Sequence, residues 1–307
     1  MKYYLIVNPI SGRGHGERSI PEIEAQFKAA GLDYQLTRTE YPGHALKLAR
    51  EAEGCDVIIS AGGDGTSNEI LNGILESKRN GSQPAMAIIP VGRGNDLAYS
   101  MGIPATVTDA CKCIVEDQRR RVDVGRVYGD NFPEGRYFGN GVGVGFDAVV
   151  GFESLKMKWL TGFASYIVAA GKTTLLYFKA PRLKLVTPEG DHTGEYLMVS
   201  IMNGIRMGGG FYMAPESKPA DGKLDLCVVN QVRRRELLPL IGKFTKGTQK
   251  GDRAVNFLRT SQVEIHAIEG SIPAHADGET VCEKGSSIRI ELHPQKLEMI
   301  YQPGLRD

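Results

Sequence analysis

The sequence has no strong excess of charge of either sign. Its 37 Lys and Arg residues nearly balance 36 Asp and Glu residues, which gives a formal net charge of +1. This balance excludes a strong overall attraction to nucleic acid or to an anionic membrane, so any such attraction must be local. We therefore expect no nucleic-acid partner.

Long apolar runs and paired cysteines are also missing, and we expect no leader peptide. No window approaches 18 uncharged apolar residues, and a strand-like segment begins directly at Lys2. The five cysteines form an odd set without Cys-x-x-Cys spacing, which favours buried free thiols in a reducing compartment. We expect a cytoplasmic protein that meets a membrane only peripherally, at its inner face.

The most informative segment is the turn at residues 62–66, Gly-Gly-Asp-Gly-Thr. A β-branched apolar run at 56–61 predicts a buried strand before it, and apolar positions with helical spacing follow it. A glycine-rich turn that opens a helix presents free N–H groups and the positive end of the helix dipole, and so suits phosphate. Because Asp64 would repel phosphate, the turn suggests a Mg²⁺–nucleotide complex. A tight turn without a ligand is the alternative.

The first 120 residues or so alternate predicted strands with predicted helices. This rhythm predicts a parallel sheet with helices on both faces and ligands at the carboxyl ends of its strands. Three turns follow predicted strands, at 8–12, 62–66 and 90–96, and we expect them to line one crevice. The predicted strands are 2–7, 33–38, 56–60 and 85–89, and the predicted helices lie near 18–30, 43–53, 66–78 and 94–101.

From about residue 122, strands follow one another without regular helices between them, which predicts an antiparallel, sandwich-like second domain. The apolar run 296–301 could return to the first domain. The predicted domains are thus 1–121 with 296–307, and 122–295. The predicted strands are 122–128, 136–144, 182–188, 194–203, 223–230, 262–267, 272–276 and 286–292, with helical stretches near 146–178 and 233–246.

In their order and spacing, these motifs resemble those of the diacylglycerol kinase catalytic family, in the bacterial soluble lipid-kinase branch that is also similar to sphingosine kinases. The resemblance covers nearly the whole chain. It implies an N-terminal α/β nucleotide-binding domain of the kind in NAD kinase and diacylglycerol kinase, and a C-terminal β-sandwich-like lipid domain. The implied activity is ATP-dependent phosphorylation of a lipid hydroxyl, with diacylglycerol as the first candidate acceptor. The motifs are Asn8-Pro9-x-Ser11-Gly12, Gly62–Thr66 with Asn68-Glu69, Pro90-x-Gly92-x-Gly94-Asn95-Asp96-x-Ala98, Asp123, Asn140–Asp147, Gly208-Gly209-Gly210-x-x-x-Ala214-Pro215, Asp221-Gly222-Lys223-Leu224-Asp225 and Asp277-Gly278-Glu279.

The resemblance also implies where ATP binds. Arg93 is a departure, because the family commonly has Thr or Ser at this position; a guanidinium could replace the lost hydroxyl contact to phosphate or point to solvent. The residues assigned to ATP are Asn8, Ser11, Gly12, Thr39, Gly62, Gly63, Asp64, Gly65, Thr66, Asn68, Glu69, Arg93, Gly94 and Asn95.

Two Mg²⁺ sites are expected. The chain lacks a Gly-x4-Gly-Lys-Ser/Thr loop, so backbone amides and Mg²⁺ must hold the phosphates. Asp64, Asp96 and Asp123 are candidate ligands for the catalytic ion, although Asp123 could be only an ion-paired surface acid. The resemblance implies a structural Mg²⁺ at Lys218, Asp221 and Lys223, with Asp221 as the side-chain ligand and nearby carbonyls completing the site.

The turn Asp277-Gly278-Glu279 follows a short apolar strand. Glu279 is the candidate general base that takes the proton of the lipid hydroxyl, and Asp277 would orient it or bind metal. A plain hairpin turn is the alternative, and the neighbouring His275 is expected to be structural.

Several alternatives remain open from sequence. Basic and aromatic residues at 155–183 suit an interfacial helix or the mouth of an acyl pocket, and equally helices packed on the second domain. NAD kinases share a Gly-Gly-Asp-Gly turn, and a catalytically silent nucleotide- or lipid-binding protein is a further option. The acceptor lipid and the oligomeric state stay open, with a homodimer as one option.

Overall fold

The computed structural model describes residues 1–77, 83–156, 168 and 180–306. The chain divides into two compact units. Unit 1 is Met1–Val124 with Pro294–Asp307, and unit 2 is Gly125–His293. Most of the basic and aromatic segment 155–183 lies outside the described residues. Among the helices that the structure describes, none has the length and apolar character needed to cross a membrane.

Unit 1 is built on a parallel sheet in the order β4–β3–β1–β2, as the alternating pattern predicts. The two strands β3 and β4 are buried along their whole length, because their apolar side chains are covered on both faces. The strands are β1 (Lys2–Val7), β2 (Asp33–Arg38), β3 (Val57–Gly62) and β4 (Ala85–Pro90).

Helices connect these strands, and two of them differ from the prediction. The first begins at Ser11 rather than near residue 18, but residues 12–14 have φ angles of 57°, 59° and 81°, so regular helix starts only after Gly14. The helix at 107–116 was not predicted; the Thr106 hydroxyl accepts the Asp109 N–H at its start. The helices are α1 (Ser11–Ala29), α2 (His44–Glu51), α3 (Asp64–Glu76), α4 (Asp96–Ser100) and α5 (Val107–Glu116).

Unit 2 consists mainly of antiparallel strands, and its buried apolar side chains form two clusters, which confirms the predicted sandwich-like class. Strand β7 pairs with β13 and β9, β9 also pairs with β10 and β8, and β12 pairs with β8 and β15. Two of its strands, β5 and β15, extend into unit 1. The strands are β5 (Arg119–Gly129), β6 (Phe132–Phe138), β7 (Gly141–Gly145), β8 (Arg182–Thr187), β9 (Gly190–Met202), β10 (Leu224–Asn230), β11 (Val255–Thr260), β12 (Gln262–Glu269), β13 (Ile272–Ala276), β14 (Glu279–Gly285) and β15 (Ser287–Ile300); the helices are α6 (Phe146–Lys156) and α7 (Arg234–Lys246).

The second half differs from the predicted strands in four places. The predicted strand 136–144 is interrupted at residues 139–140, where the backbone N–H groups bond a carboxylate instead of a ladder. Strands β11 and β14 were not predicted, because their polar residues obscure the apolar alternation. The runs 286–292 and 296–301 form the single strand β15, and its C-terminal part belongs to unit 1.

The cysteines are free thiols, as predicted. Four are buried, whereas Cys55 is only half-buried. Burial raises the pKa of the Cys113 thiol to about 11. Burial raises the pKa of the other three buried thiols as well, so these four are protonated and unreactive at neutral pH.

Candidate active site

The three predicted turns meet at the carboxyl ends of the unit 1 strands. A Cβ atom placed on Gly92 would lie 2.3 Å from the Cα of Gly63, and one placed on Gly12 would lie 2.3 Å from the carbonyl oxygen of Val91. Backbone therefore packs against backbone, and only glycine allows this approach. We call the surface formed by residues 8–14, 62–66 and 91–96 the glycine cradle.

Side chains tie the first two turns together. The Asn8 amide nitrogen donates to the Thr66 hydroxyl at 2.9 Å, and the Asn8 backbone N–H donates to the Ala61 carbonyl at 2.9 Å. A Cβ atom on Gly62 would lie 2.5 Å from the Cβ of Thr66, so glycine leaves the room that Thr66 occupies. Asn8 and Thr66 thus shape the cradle from within.

The cradle has donors that an anion could use. Helix α3 begins at Asp64, and its N-cap residue is Gly63, which has no side chain to cap the first turn. The first N–H groups of a helix have no partner inside the helix, and they favour an anion together with the helix dipole. Gly65, at the second position of α3, is exposed, and a Cβ atom there would meet open space. This end of α3 can therefore receive a phosphate group.

Two candidate metal acids lie at the cradle. The Asp64 carboxylate accepts the Leu97 N–H at 3.0 Å, which places it next to Asp96, the residue before Leu97. The Asp96 side chain is 5% exposed. Asp123 lies inside β5 rather than at a strand end, is fully buried, and accepts the Gln295 N–H at 2.8 Å. The interpretation of Asp123 as a surface acid is therefore wrong.

The other residues assigned to ATP divide into two groups. Thr39 follows β2, where its N–H donates to the Val7 carbonyl at 2.8 Å, and Arg93 is exposed in the turn after β4. Three of the other side chains hydrogen-bond within the protein. Asn95 closes its turn through both of its amide atoms to Gly92, Asn68 accepts from Asn72, and Glu69 accepts the N–H groups of Gly43 and Ala45 at 2.9 and 3.1 Å.

In unit 2, Asp277 organises the turn between β6 and β7. Its carboxylate accepts the N–H groups of Gly139 at 2.8 Å, Asn140 at 3.2 Å and Gly141 at 2.9 Å. Several N–H donors stabilise the ionised form and leave little capacity for a metal ion. Glu279 follows two residues later as the half-buried first residue of β14.

The segment assigned to a structural Mg²⁺ is already ion-paired. One Asp221 oxygen accepts the Lys223 N–H at 3.1 Å, and the other accepts from the Arg259 guanidinium, which also contacts Asp225 at 3.2 Å. Lys218 is exposed. A Mg²⁺ ion here would share the Asp221 carboxylate with Arg259. Within the described ranges, no three His, Cys, Asp or Glu side chains form a group that could hold a metal ion.

Sequence reasoning did not find the cavity of unit 2, which has an almost entirely apolar lining. Two features of the sequence could have indicated this cavity: the apolar residues of α7 at helical spacing, and Asp147 in the glycine-rich motif. From the sequence, we assigned no role to Asp147. The lining residues are Phe146, Asp147, Val150, Leu197, Met198, Gly208, Phe211, Met213, Val229, Leu237, Leu240, Ile241 and Phe244.

Two family models together cover most of the chain. The diacylglycerol kinase catalytic domain matches residues 2–127, and the YegS C-terminal NAD kinase beta sandwich-like domain matches residues 140–301. A probable lipid kinase YegS-like protein of Chromohalobacter salexigens is 31% identical over 280 residues, which are 90% of this chain and 86% of that protein. A diacylglycerol kinase of Bacillus subtilis is 27% identical over 279 residues, which are 90% of this chain and 88% of that protein.

Solved structures agree on the fold. The crystal structure of a diacylglycerol kinase from Bacillus anthracis superposes with a TM-score of 0.74 at 25% identity, over 99% of this chain and 98% of that chain. An NAD kinase from Archaeoglobus fulgidus superposes with a TM-score of 0.53 at 15% identity, over 99% of this chain and 95% of that chain, which shows a shared fold alone. The chain therefore belongs to the diacylglycerol kinase catalytic family and is an enzyme, a phosphotransferase of the lipid kinase class.

Proposed function

We propose that this protein transfers the γ-phosphoryl group of ATP to a lipid hydroxyl in a Mg²⁺-dependent reaction, with diacylglycerol as the first candidate acceptor and phosphatidic acid as the product. The observation that carries the proposal is the glycine cradle, where three turns meet backbone to backbone at the start of α3. A triphosphate can approach such a surface closely without a lysine clamp. Relatives named diacylglycerol kinase support the acceptor.

The acids at the cradle fit a Mg²⁺ ion bound together with ATP. Mg²⁺ in kinases usually takes one or two carboxylates and completes its shell with phosphate oxygens and water, so a closed protein cage is not needed. Asp64 and Asp96 would supply the carboxylates, and Asp123 would act through water or by holding Gln295. When bound, Mg²⁺ would offset the charge of the phosphates beside Asp64.

Glu279 is the proposed general base. Its carboxylate takes the hydroxyl proton as the lipid oxygen bonds to the γ-phosphorus, the bond from that phosphorus to the bridging oxygen of ATP breaks, and ADP leaves. Asp277 acts as a positioning residue. Its carboxylate accepts N–H groups of residues 139–141, and Asp277 itself is the first residue of the turn that leads to Glu279.

The apolar cavity of unit 2 is the proposed acyl-chain site. Its apolar lining suits a hydrocarbon chain. Helices α6 and α7 contribute much of this lining.

Peripheral docking on an anionic membrane and a homodimer are further proposals. Liposome flotation at low salt tests the docking, and analytical ultracentrifugation tests the homodimer.

The decisive experiment compares Glu279→Gln with Glu283→Gln, an exposed acid on the same strand. We expect the Glu279 variant to lower kcat for phosphate transfer to diacylglycerol by about 10²–10⁴-fold, because it loses base catalysis. Its dissociation constant for ATP should stay close to that of the unmodified protein, and the Glu283 variant should behave normally. An equal loss of ATP affinity in Glu279→Gln would contradict the assignment.

The acceptor is identified by incubating the enzyme with labelled ATP and a whole lipid extract, followed by mass spectrometry of the products. Diacylglycerol, a sphingoid base, phosphatidylglycerol and a glycolipid are compared directly, with NAD as a separate acceptor. Transfer to NAD alone would favour an NAD kinase. Nucleotide binding without transfer to any acceptor would favour a silent binding protein.

A further inference from the structure

We propose that Asp147, in the wall of the unit 2 cavity, and His275, which lies beside Asp147 but outside that wall, form a polar recognition pair. This pair favours lipids with a neutral hydrogen-bonding group, such as a hydroxyl or an ester, over lipids with an ammonium group. The inference rests on the proposed function, because it specifies which lipids the same enzyme accepts.

Asp147 is the exception in an apolar cavity. Among the described residues that line it, only Asp147 has a polar group on its side chain other than a thioether. This carboxyl is 7% exposed and lies at the start of α6, between the cavity residues Phe146 and Val150. A buried acid in an apolar wall is costly unless it binds something. Ser200 supplies one such bond, and the place of Asp147 in the lining also brings its carboxyl within reach of a polar group of a bound lipid.

Strand register brings three polar side chains to the same place. His275 on β13 lies opposite Gly143 on β7, which lies opposite Ser200 on β9. The Ser200 hydroxyl donates to Asp147 Oδ2 at 3.1 Å. A Cβ atom on Gly143 would lie 2.5 Å from Asp147 Oδ2 and 2.5 Å from His275 Nε2, so the acid and the imidazole converge on this one glycine.

The imidazole has unused hydrogen-bonding capacity. His275 is 6% exposed, and within the described part of the chain neither of its ring nitrogens has a hydrogen-bond partner. Buried polar atoms in native proteins are nearly always bonded, so an exception calls for an explanation such as a ligand. A lipid polar group at Asp147 would lie next to this imidazole.

The electrostatics favour a neutral ligand. Burial raises the pKa of Asp147 and lowers the pKa of His275, so both shifts favour the uncharged forms. A protonated carboxyl and a neutral imidazole can each donate and accept a hydrogen bond, which suits a hydroxyl or an ester carbonyl. An ammonium group would require an ionised Asp147 and would lose its own hydration in an apolar cavity, a cost that often exceeds the Coulombic gain.

The test uses two substitutions of similar size, Asp147→Asn and Asp147→Leu. Asparagine keeps hydrogen bonding but removes ionisation, whereas leucine removes both. We measure kcat/KM for a short-chain diacylglycerol and for sphingosine in the same mixed micelles, ATP affinity, and binding of a fluorescent diacylglycerol without ATP. The exposed Asp191, replaced by Asn and by Leu, provides the matched control.

With diacylglycerol as substrate, we expect kcat/KM to fall about threefold in the asparagine variant and about 10–100-fold in the leucine variant. The fall should come mainly from a higher KM and weaker lipid binding. The affinity for ATP should not decrease from the unmodified protein to the asparagine variant to the leucine variant. If Asp147→Leu does not fold, His275→Gln compared with His275→Phe provides the same contrast, with the larger loss expected for phenylalanine.

Three results would overturn the inference: equal lipid binding in all variants, no binding of diacylglycerol by the unmodified protein, or a preference for sphingosine that disappears in Asp147→Asn. The last would show that an ionised carboxylate recognises a cation. Diacylglycerol binding that follows the expected order without phosphate transfer would overturn the proposed function and leave the recognition pair supported.

Discussion

At the scale of single residues, two glycines of the cradle have opposite surroundings. A Cβ atom on Gly92 would lie 2.3 Å from the Cα of Gly63 and 2.6 Å from the Asn95 amide oxygen, whereas one on Gly65 would meet nothing within 4 Å. Backbone atoms cannot move aside as a flexible side chain can. The same change of glycine to alanine should therefore have opposite effects at the two positions.

We expect Gly92→Ala to lower the free energy of unfolding by about 1–3 kcal/mol through overpacking. Gly65→Ala should raise it by about 0.5–1 kcal/mol, because Gly65 lies within α3 and alanine favours helix. Urea denaturation without nucleotide measures both. If the two variants shift stability in the same direction, the contact at Gly92 is not as tight as described.

His275 should make stability depend on pH. Burial lowers its pKa in the folded state, so below the unfolded value of about 6.5 the unfolded chain binds a proton that the folded chain does not. The folded state thus loses stability as the pH falls, by at most about 1.4 kcal/mol per pH unit. The raised pKa of Asp147 acts in the opposite direction, and because the two groups interact, the comparison below reports His275 together with its coupling to Asp147.

The comparison is between the unmodified protein and His275→Gln, by urea denaturation from about pH 7.5 to about pH 5.5. The stability of the unmodified protein relative to the variant should fall by about 1 kcal/mol across this range. Parallel curves for the two proteins would show that His275 becomes protonated in the folded state as readily as in the unfolded state.

At the scale of elements, side chains fix the starts of helices and turns. Glu69 on α3 accepts the N–H groups of Gly43 and Ala45, where α2 begins, and Asp277 does the same for residues 139–141. Both acids belong to motifs that the family resemblance links to ATP or catalysis. Their contacts indicate that such motif residues can act by positioning backbone rather than by touching substrate.

Glu69→Ala should lower the free energy of unfolding by about 1–2 kcal/mol, because α2 loses the acceptor for two N–H groups. Glu76→Ala, at an exposed position of the same helix, is the control and should change stability little. Thermal unfolding measures both variants, and ATP titration of the folded variant tests direct contact. A large loss of ATP affinity with unchanged stability would support the ATP role instead.

At the scale of the whole molecule, β15 takes part in both units. Residues 287–291 pair with β12 in unit 2, whereas Met299 pairs with Met86 of β4 in unit 1. Leu297, Met299 and Ile300 are at most 1% exposed. The last residues of the strand are thus part of the unit 1 core, although they are distant from it in sequence.

A chain that ends after His293 should therefore lose cooperative folding of unit 1. Burial of three large apolar side chains contributes about 5–9 kcal/mol, which is comparable to the whole stability of a typical domain. A chain that ends after Tyr301 keeps these side chains and is the control. Calorimetry and protection of unit 1 by ATP against proteolysis measure the outcome, and an unchanged melting temperature would contradict it.

The sequence by itself determined the parallel sheet of unit 1 and the positions of the three turns. These depend on local patterns, since strands and helices have different apolar periods and glycines mark the turns between them. The same motifs were enough to indicate the family. Strands β11 and β14 were missed because their side chains alternate poorly, and their pairing partners lie elsewhere in the chain.

Only the tertiary structure decided which polar residues meet. Asp147, Ser200 and His275 are far apart in sequence and converge because three strands align around Gly143. Asp123 pairs with Gln295, and Glu69 serves α2 rather than its own helix. Such contacts depend on strand register and on burial, which arise when distant segments pack and which leave no periodic signal along the chain.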